Sequence, residues 1–264
     1  MVKYRMTKII SFSGKGGVGK STLLVLMLKY LIQKSKDLNI LVIDADPDAN
    51  IADLIGQEIH FKETIGGKMA EFKQKIQKRL IPLDISKDQI VESEVFKTLI
   101  EMDKFDVLEM GRGEGEGCYC SINNYLKHII DVLAKNYDYV LIDSPAGLEF
   151  FARKTGQDVT DLIIVSDPSK MGIHTMKRIL EVSKEVNLKF GNIWILGNRF
   201  PENSIRDILE NEVNSIKEEH VKLLGFIDNS EDIAKMNIVG KNLLDLKDDS
   251  KPYLAAKELF SAII

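Results

Sequence analysis

A glycine-rich segment near the start of the chain has the residue types that bind phosphate. The pattern G-x-x-x-x-G-K-S/T is matched by Gly14-Lys15-Gly16-Gly17-Val18-Gly19-Lys20-Ser21-Thr22. Glycines lack a Cβ, so backbone N–H groups can surround phosphate oxygens, and a helix that begins near Lys20 adds the positive end of its dipole. We expect Lys20 to lie between the β- and γ-phosphates of a nucleoside triphosphate and the Ser21 hydroxyl to bind Mg²⁺. The segment therefore predicts a nucleotide site.

The two cysteines of the chain, Cys118 and Cys120, are separated by one residue and follow a glycine-rich stretch, residues 111–117. One Cys-x-Cys pair cannot fill a four-coordinate metal site, but two copies related by a twofold axis supply four thiolates. Four thiolates can hold Zn²⁺ tetrahedrally, Ni²⁺ in a square plane, or an Fe–S cluster. The alternative is a pair of ordinary loop cysteines. The residue pattern leaves the choice of metal open.

One aspartate, Asp143, ends an apolar stretch typical of a buried strand. A carboxylate at the carboxyl end of a strand can hold Mg²⁺ beside a bound phosphate, or it can cap the helix that follows. Because the glycine-rich segment already predicts Mg²⁺, we favour the metal role for Asp143.

These residues must be positioned by short apolar stretches that alternate with helical ones. Such alternation indicates βαβ units and a buried parallel sheet. The predicted strands are Ile9–Phe12, Ile40–Asp44, Phe105–Met110, Tyr139–Ile142, Leu162–Val165, Ile193–Leu196 and Leu223–Ile227. The predicted helices include Lys20–Lys34, Asn123–Lys135, Ile173–Val186, Ser204–Glu218 and Tyr253–Ile264. We therefore expect an α/β fold with a doubly wound, mainly parallel sheet flanked by helices.

The composition predicts a single domain over residues 1–264, since 264 residues of which 44% are hydrophobic suffice for one packed core. Within it we expect a less regular helical region at about 57–104 and a cysteine-containing loop at 111–121. The net charge of −4 gives no overall field that would gather nucleic acid. The paucity of cysteine, the lack of a signal-peptide hydrophobic region and the lack of a long apolar run predict a cytoplasmic protein without a membrane or nucleic-acid partner.

The position of Lys15, directly after Gly14, resembles the deviant Walker A motif of the family that includes the nitrogenase iron protein, the septum-site regulator MinD and the partition ATPase ParA. The resemblance implies an ATPase that binds ATP or ADP with Mg²⁺ and works as a homodimer. It also implies that Lys15 reaches across the dimer to the phosphates held by the partner chain. An added cation there would stabilise the charge of the transition state together with Lys20.

Further segments fit the same resemblance. In Asp44-Ala45-Asp46-Pro47, which resembles switch I, Asp46 would orient the attacking water, while Asn50 stands where relatives often have an acidic residue. Asp143-Ser144-Pro145-Ala146-Gly147 resembles switch II, and Asp143 would hold Mg²⁺ through a water molecule. Asn198-Arg199 stands where relatives place an asparagine that hydrogen-bonds adenine. The later turn, Gly225-Phe226-Ile227-Asp228, lacks the proline that relatives often have.

The glycine-rich stretch after Met110-Gly111 together with Cys118-Tyr119-Cys120 resembles the CooC-type maturation ATPases. That resemblance covers essentially the whole chain. It implies assistance with nickel insertion into carbon monoxide dehydrogenase or a related nickel enzyme, with Ni²⁺ or Zn²⁺ shared between the two chains of a dimer. The alternatives are an Fe–S carrier or electron-transfer protein and a spatial regulator similar to MinD or ParA.

Overall fold

The computed structural model describes residues 6–78, 96–111, 132–145, 159–185, 190–201 and 204–264, and in these ranges eight strands form one sheet. The strands are β1 (Lys8–Gly14), β2 (Ile40–Asp44), β3 (Ile100–Glu101), β4 (Asp106–Glu109), β5 (Tyr139–Asp143), β6 (Val159–Ser166), β7 (Phe190–Asn198) and β8 (Val221–Ile227). Their order is β3-β4-β2-β5-β1-β6-β7-β8. All neighbours pair in parallel except β3 and β4, which pair antiparallel.

Helices cover both faces of this sheet. In the described ranges the α-helices are α1 (Lys20–Lys34), α2 (Ile51–Leu54), α3 (Ile65–Gln77), α4 (Lys170–Glu185), α5 (Ser204–Asn214), α6 (Glu231–Ile238) and α7 (Lys251–Ser261). Alternate strand residues supply two cores: Ile10 and Val42 pack with α1 and α7, whereas Ile9 and Leu41 pack with α3, α4 and α5. Every residue of β2 is buried, as expected for a parallel strand covered on both sides.

The predicted doubly wound, mainly parallel sheet is confirmed. Helix α1 has the predicted bounds, and α5 ends at Asn214, four residues earlier than predicted. Most of the predicted helix from Asn123 to Lys135 lies outside the described residues. Only its last part is described, and it ends in a 3-10 turn at Ala134–Asn136. The sequence analysis missed α6 and the short edge strand β3, which lies in the region 57–104 expected to be helical.

The carboxyl ends of the central strands meet at one edge of the sheet. Asp143 is the register partner of Phe12 in β1 and of Asp44 in β2, and Asp44 in turn pairs with Glu109 in β4. On the other side of β1, Gly14 pairs with Val165 in β6. This edge therefore brings the start of the glycine-rich segment next to three buried carboxylates.

The carboxyl-terminal helix α7 packs on the sheet. Its Tyr253, Ala256 and Phe260 are fully buried, and the Phe260 ring meets the Phe12 ring edge-on with centroids 6.4 Å apart. None of the helices in the described ranges has the length and apolar character that crossing a bilayer requires.

Candidate functional site

The glycine-rich segment forms the turn between β1 and α1. Gly17 and Gly19 have φ angles of 78° and 99°, in the left-handed region that L side chains rarely adopt. Val18 is completely buried and fixes the turn to the core. The loop residues Gly16 and Gly17 are exposed, so their backbone faces solvent at the amino end of α1. Backbone N–H groups and the helix dipole at this position suit an anionic ligand.

Two glycines of this turn are required for steric reasons. A Cβ on Gly14 would lie 2.3 Å from the carbonyl oxygen of Val165, which is far inside van der Waals contact. A Cβ on Gly19 would lie 2.5 Å from the amide nitrogen of Asn198. Strands β6 and β7, which carry Val165 and Asn198, thus approach the turn so closely that only glycine fits.

Three side chains meet where α1 begins. Lys20 is 6% exposed, although lysine is rarely buried without a partner. The Ser21 hydroxyl donates to Asp143 Oδ2 at 2.5 Å, while Asp143 Oδ1 is buried without a hydrogen-bond partner among the described residues. A serine hydroxyl and a carboxylate are the hard oxygen ligands that Mg²⁺ prefers. The residues therefore fit a magnesium ion at this point, either directly or through water.

Burial raises the pKa of Asp143 to about 6; the Ser21 hydrogen bond and the charge of Lys20 oppose this shift, and the charge of Asp46 adds to it. The neighbouring Asp44 is also fully buried, and its pKa is raised well above the ordinary value by burial and by the charge of Asp143. Without a cation, the ionised forms of these buried carboxylates destabilise the folded protein, and a bound divalent ion would reduce that destabilisation.

A third carboxylate, Glu109, continues this row on β4. It is 6% exposed, and burial together with the charge of Asp53 raises its pKa to about 7. Sequence analysis missed Asp44 and Glu109 as site residues. Both end apolar strands, the same signal that singled out Asp143, but only the strand order shows that the three are neighbours.

The predicted catalytic residue Asp46 is half-buried and lies on the turn after β2. Its backbone N–H donates to Asp44 Oδ1 at 3.1 Å, and its own Oδ1 accepts from the N–H of Asp48 at 3.1 Å. The electrostatic effect of Asp46 on Asp143 shows that the two carboxylates lie near each other. Asn50 stands at the amino end of α2, and no side-chain cap hydrogen bond forms there.

The structure places Lys15 against a residue of its own chain. Lys15 Nζ donates to Asp167 Oδ2 at 3.3 Å, and the two side chains are 38% and 22% exposed. Asp167 follows the end of β6 and also accepts from the Ser169 hydroxyl at 2.5 Å. Sequence analysis did not identify Asp167, because 152 residues separate it from Lys15.

Asn198 and Arg199 both contact the glycine-rich turn. The amide nitrogen of Asn198 donates to the Val18 carbonyl at 2.7 Å, and a guanidinium nitrogen of Arg199 donates to the Gly17 carbonyl at 3.1 Å. Arg199 has a φ of 60°, unusual for a residue with a side chain. Beside them lies a cavity of about 170 Å³ lined by residues that include Thr22, Leu26, Asn198, Asp228, Ile233 and Asn237.

The structure therefore brings together at one edge of the sheet Gly14, Lys15, Gly16, Gly17, Val18, Gly19, Lys20, Ser21, Thr22, Asp46, Asp143, Asn198 and Arg199. The predicted metal ligands Cys118 and Cys120 lie outside the described residues. Within the described ranges, no group of three or more His, Cys, Asp or Glu side chains is arranged to hold a metal ion.

Comparisons with known proteins agree with this geometry. Residues 6–193 match the model of a family described as an AAA domain. An uncharacterized ATP-binding protein of Methanocaldococcus jannaschii is 38% identical over 257 residues, which cover 97% of this chain and 98% of that protein. The carbon monoxide dehydrogenase accessory protein CooC of Rhodospirillum rubrum is 30% identical over 200 residues, 68% of this chain and 70% of CooC.

Among solved structures, the septum site-determining protein MinD of Pyrococcus horikoshii, complexed with Mg-ADP, is similar with a TM-score of 0.66. The match covers 98% of this chain and 96% of MinD, at 21% sequence identity, and therefore supports the fold alone. Since the family model spans more than half of the chain, the protein belongs to the AAA-domain family of P-loop ATPases, the group with the fold of MinD and ParA.

Proposed function

We propose that the protein is a Mg²⁺-dependent ATPase that works in the cytoplasm as a homodimer and assists nickel insertion into carbon monoxide dehydrogenase or a related nickel enzyme. One observation carries the proposal: a glycine-rich turn before α1, with Lys20 and the Ser21–Asp143 pair beside it, occurs in a chain that also contains a Cys-x-Cys pair. The similarity to CooC, at 30% identity, supports the same conclusion. The whole chain, residues 1–264, would act as one ATPase domain.

ATP would bind with its phosphates on the turn between β1 and α1. Backbone N–H groups of residues 16–20 would bind the phosphate oxygens, and Lys20 would neutralise the β- and γ-phosphates. Ser21 and Asp143 would hold Mg²⁺, which supplies charge to the phosphates and to the leaving oxygen when bound. The Asn198 amide nitrogen donates to the Val18 carbonyl, and the amide oxygen would accept from the adenine amino group.

Hydrolysis would need a water molecule held in line with the γ-phosphate. Asp46 is the candidate to orient that water, since it lies near Asp143 on a turn whose backbone is fixed by hydrogen bonds. The Lys15 ammonium would stabilise transition-state charge on the phosphates of the partner chain. For this, Lys15 must break its ion pair with Asp167. Both side chains are partly exposed, so the loss of this ion pair costs about 1 kcal/mol or less.

Lysine variants test the ATPase part. We expect Lys20→Ala to weaken ATP binding, and Lys15→Ala to retain ATP binding but to lose most hydrolysis and ATP-dependent dimerisation. The exposed Lys36 provides a control, and Lys36→Ala should behave as the wild type. Nucleotide affinity by calorimetry, phosphate release and light scattering give the three readouts. Equal loss of nucleotide affinity in all three variants, or in none, would contradict the proposed roles.

The metal part rests on Cys118 and Cys120. Two chains would supply four thiolates to one Ni²⁺ or Zn²⁺ ion, and ATP-driven closure of the dimer would alter that site. We expect about half an equivalent of metal per chain in the dimer. Metal stoichiometry measured with and without ATP, and again with Cys118→Ser/Cys120→Ser protein, tests this. Full Ni²⁺ and Zn²⁺ affinity in the serine variant would rule out the shared site.

A second candidate function is spatial regulation of division or DNA segregation, which the fold shared with MinD favours. Such regulators need a membrane-binding helix or a basic DNA-binding surface. Helix α7 instead buries Tyr253 and Phe260 against the sheet. Cosedimentation with anionic vesicles and with DNA in the presence of ATP distinguishes the two functions. Visible absorbance after anaerobic purification would indicate instead an Fe–S carrier or electron-transfer protein.

A further inference from the structure

The cavity beside the glycine-rich turn is bordered by the loops that follow two neighbouring strands. Asn198, the last residue of β7, is the register partner of Ile227, the last residue of β8. The residues that come next, Arg199 and Asp228, therefore leave the sheet side by side, and both line the cavity of about 170 Å³. The relative position of these two loops sets the shape of the cavity.

Arg206, in the first turn of α5, contacts both loops. Its Nη2 donates to Oδ1 of Asp228 in the loop after β8. The same nitrogen donates at 3.4 Å to the carbonyl oxygen of Phe200, a fully buried residue of the loop after β7. Because a guanidinium group presents its donors in a rigid plane, these two hydrogen bonds restrain the distance between the loops.

Two aromatic rings hold the guanidinium group of Arg206 in place. Its central carbon lies 5.2 Å from the centroid of the Phe226 ring, and the centroid of that ring lies 5.3 Å from that of Phe200. Both rings pack against the backbone of Gly197, where a Cβ would lie 2.4 Å from Phe226 Cδ1 and 3.1 Å from Phe200 Cδ2. The rings therefore form a fixed support, and the cation–π contact orients Arg206 on it.

The remaining donor on the same edge of the guanidinium group is unused. Arg206 Nε is buried and has no hydrogen-bond partner among the described residues. Leaving a buried donor without an acceptor costs free energy, and the edge formed by Nε and Nη2 matches the two oxygens of a carboxylate. The environment of Arg206 thus suits an acidic residue at position 228, in reach of both donors.

We propose that Asp228 is a specificity-determining residue, whose carboxylate accepts a hydrogen bond from the exocyclic amino group of adenine, and that Arg206 is the positioning residue that holds this carboxylate. The inference rests on the proposed function and deepens it, because it names residues that select the base. A carboxylate has only acceptors, so it favours the amino group of adenine and repels the carbonyl oxygen that guanine and hypoxanthine carry at the same ring position.

The hydrogen-bond capacities of the groups are compatible with this role. Arg206 donates to Oδ1 of Asp228, and a carboxylate has acceptor sites for further donors. The amino group of adenine has two hydrogens, so it can donate to Asp228 and to the amide oxygen of Asn198 at once. Both of these residues line the cavity.

Nucleoside diphosphates are the probes, because they report on the base and are not hydrolysed at a γ-phosphate. The experiment measures the affinities of the full-length protein for ADP, IDP and GDP by calorimetry with Mg²⁺. Hypoxanthine, the base of IDP, has a carbonyl oxygen where adenine has its amino group. We expect ADP to bind about tenfold or more tightly than IDP or GDP, the discrimination that one hydrogen bond to a charged acceptor provides.

Two variants test the two roles. Asp228→Asn presents an amide whose nitrogen can donate to a carbonyl oxygen, so we expect the ratio of ADP to IDP affinity to fall to about threefold or less. Arg206→Ala releases Asp228, and the same ratio should fall at least about threefold relative to the wild type. Arg178 is the matched control, since it also pairs with carboxylates but on the exposed face of α4, and Arg178→Ala should keep the ratio of the wild type.

The affinity ratio separates these roles from general support of the fold, which would weaken the binding of ADP and IDP alike. Should Arg206→Ala fail to fold, Asp228→Ala removes the same ion pair at a side chain that is 61% exposed, and it should also lower the ratio.

Equal affinity of the wild type for ADP and IDP, or tighter binding of GDP than of ADP, would overturn the inference alone. An unchanged ratio in Asp228→Asn would refute the specificity role, and an unchanged ratio in Arg206→Ala would refute the positioning role. A wild type that binds none of the three nucleotides would instead overturn the proposed ATPase.

Discussion

Replacing Asp143 by asparagine should stabilise the magnesium-free protein while weakening its binding of Mg-nucleotide. Asp143 is fully buried, and burial raises its pKa from 3.8 to about 6. A shift of about two pH units corresponds to about 3 kcal/mol of destabilisation of the folded state when the carboxylate is ionised. The asparagine amide group would find no partner where Oδ1 now lies, which costs about 1 kcal/mol or more. We therefore expect a net gain of about 1–2 kcal/mol in the free energy of unfolding at about pH 8.

The pH dependence separates this electrostatic effect from changes in packing. An acid whose folded-state pKa lies above its unfolded value binds protons more strongly when folded, so its contribution to stability falls as the pH rises from 3.8 to about 6 and then stays constant. Asparagine has no such dependence. The free energy of unfolding of Asp143→Asn should thus exceed that of the wild type by about 1 kcal/mol more at pH 8 than at about pH 5.

The assay is urea unfolding of both proteins in EDTA at the two pH values, repeated with Mg²⁺ and ATP analogue. A ligand that binds the folded state more tightly stabilises it more, so the free energy of unfolding of the wild type should rise more than that of the variant. Asp37 is exposed, and Asp37→Asn should match the wild type throughout. An Asp143→Asn protein that is less stable than the wild type in EDTA at pH 8, or an advantage that shrinks with rising pH, would refute the assignment of Asp143 as a desolvated carboxylate.

Three other substitutions have defined outcomes. Gly19→Ala places a Cβ against Asn198 at a φ of 99°, so we expect a loss of about 1–3 kcal/mol in urea unfolding and weaker nucleotide binding; unchanged values would show that the turn adapts. The free energy of unfolding of Glu109→Gln, relative to that of the wild type, should rise by about 1 kcal/mol from pH 5.5 to 8.5. Burial raises the Glu109 pKa to about 7, and solvent screening reduces the full effect. A difference that does not change with pH would contradict this. Trp194→Phe removes the 2.7 Å hydrogen bond from the indole to buried Asp161 and should lower the free energy of unfolding by about 1.5–3 kcal/mol, measured by calorimetry; an unchanged value would contradict the importance of this bond.

Local features of this molecule were predictable from the sequence. Helix α1 begins at Lys20 and ends at Lys34 as predicted, because the glycine turn before it and the apolar spacing within it lie in one short stretch of chain. Strand β2 also has its predicted bounds, since five consecutive buried residues between polar ones mark a parallel strand. Helix α6 was missed although Ser230 caps it and two acidic residues occupy its first turn, which are recognised signals of a helix start.

Features that depend on strand order were not predictable. Glu109, Asp44 and Asp143 are far apart in the sequence, and only the order β4-β2-β5 puts them side by side. The pairing of Lys15 with Asp167 likewise requires β1 and β6 to be neighbours. The two-residue strand β3 is too short for any periodicity.

The balance of charge at the carboxyl edge of the sheet explains why the nucleotide and the metal ion should bind together. Lys20 and the amino end of α1 favour phosphate, whereas Asp44 and Asp143 repel it and repel each other. A divalent cation at Asp143 Oδ1 would reduce the repulsion between the two carboxylates and also the repulsion between the carboxylates and the phosphates. Either ligand alone leaves one set of charges unbalanced, so ATP and Mg²⁺ should each strengthen the binding of the other, and their joint binding should release a proton from Asp143 at about pH 6.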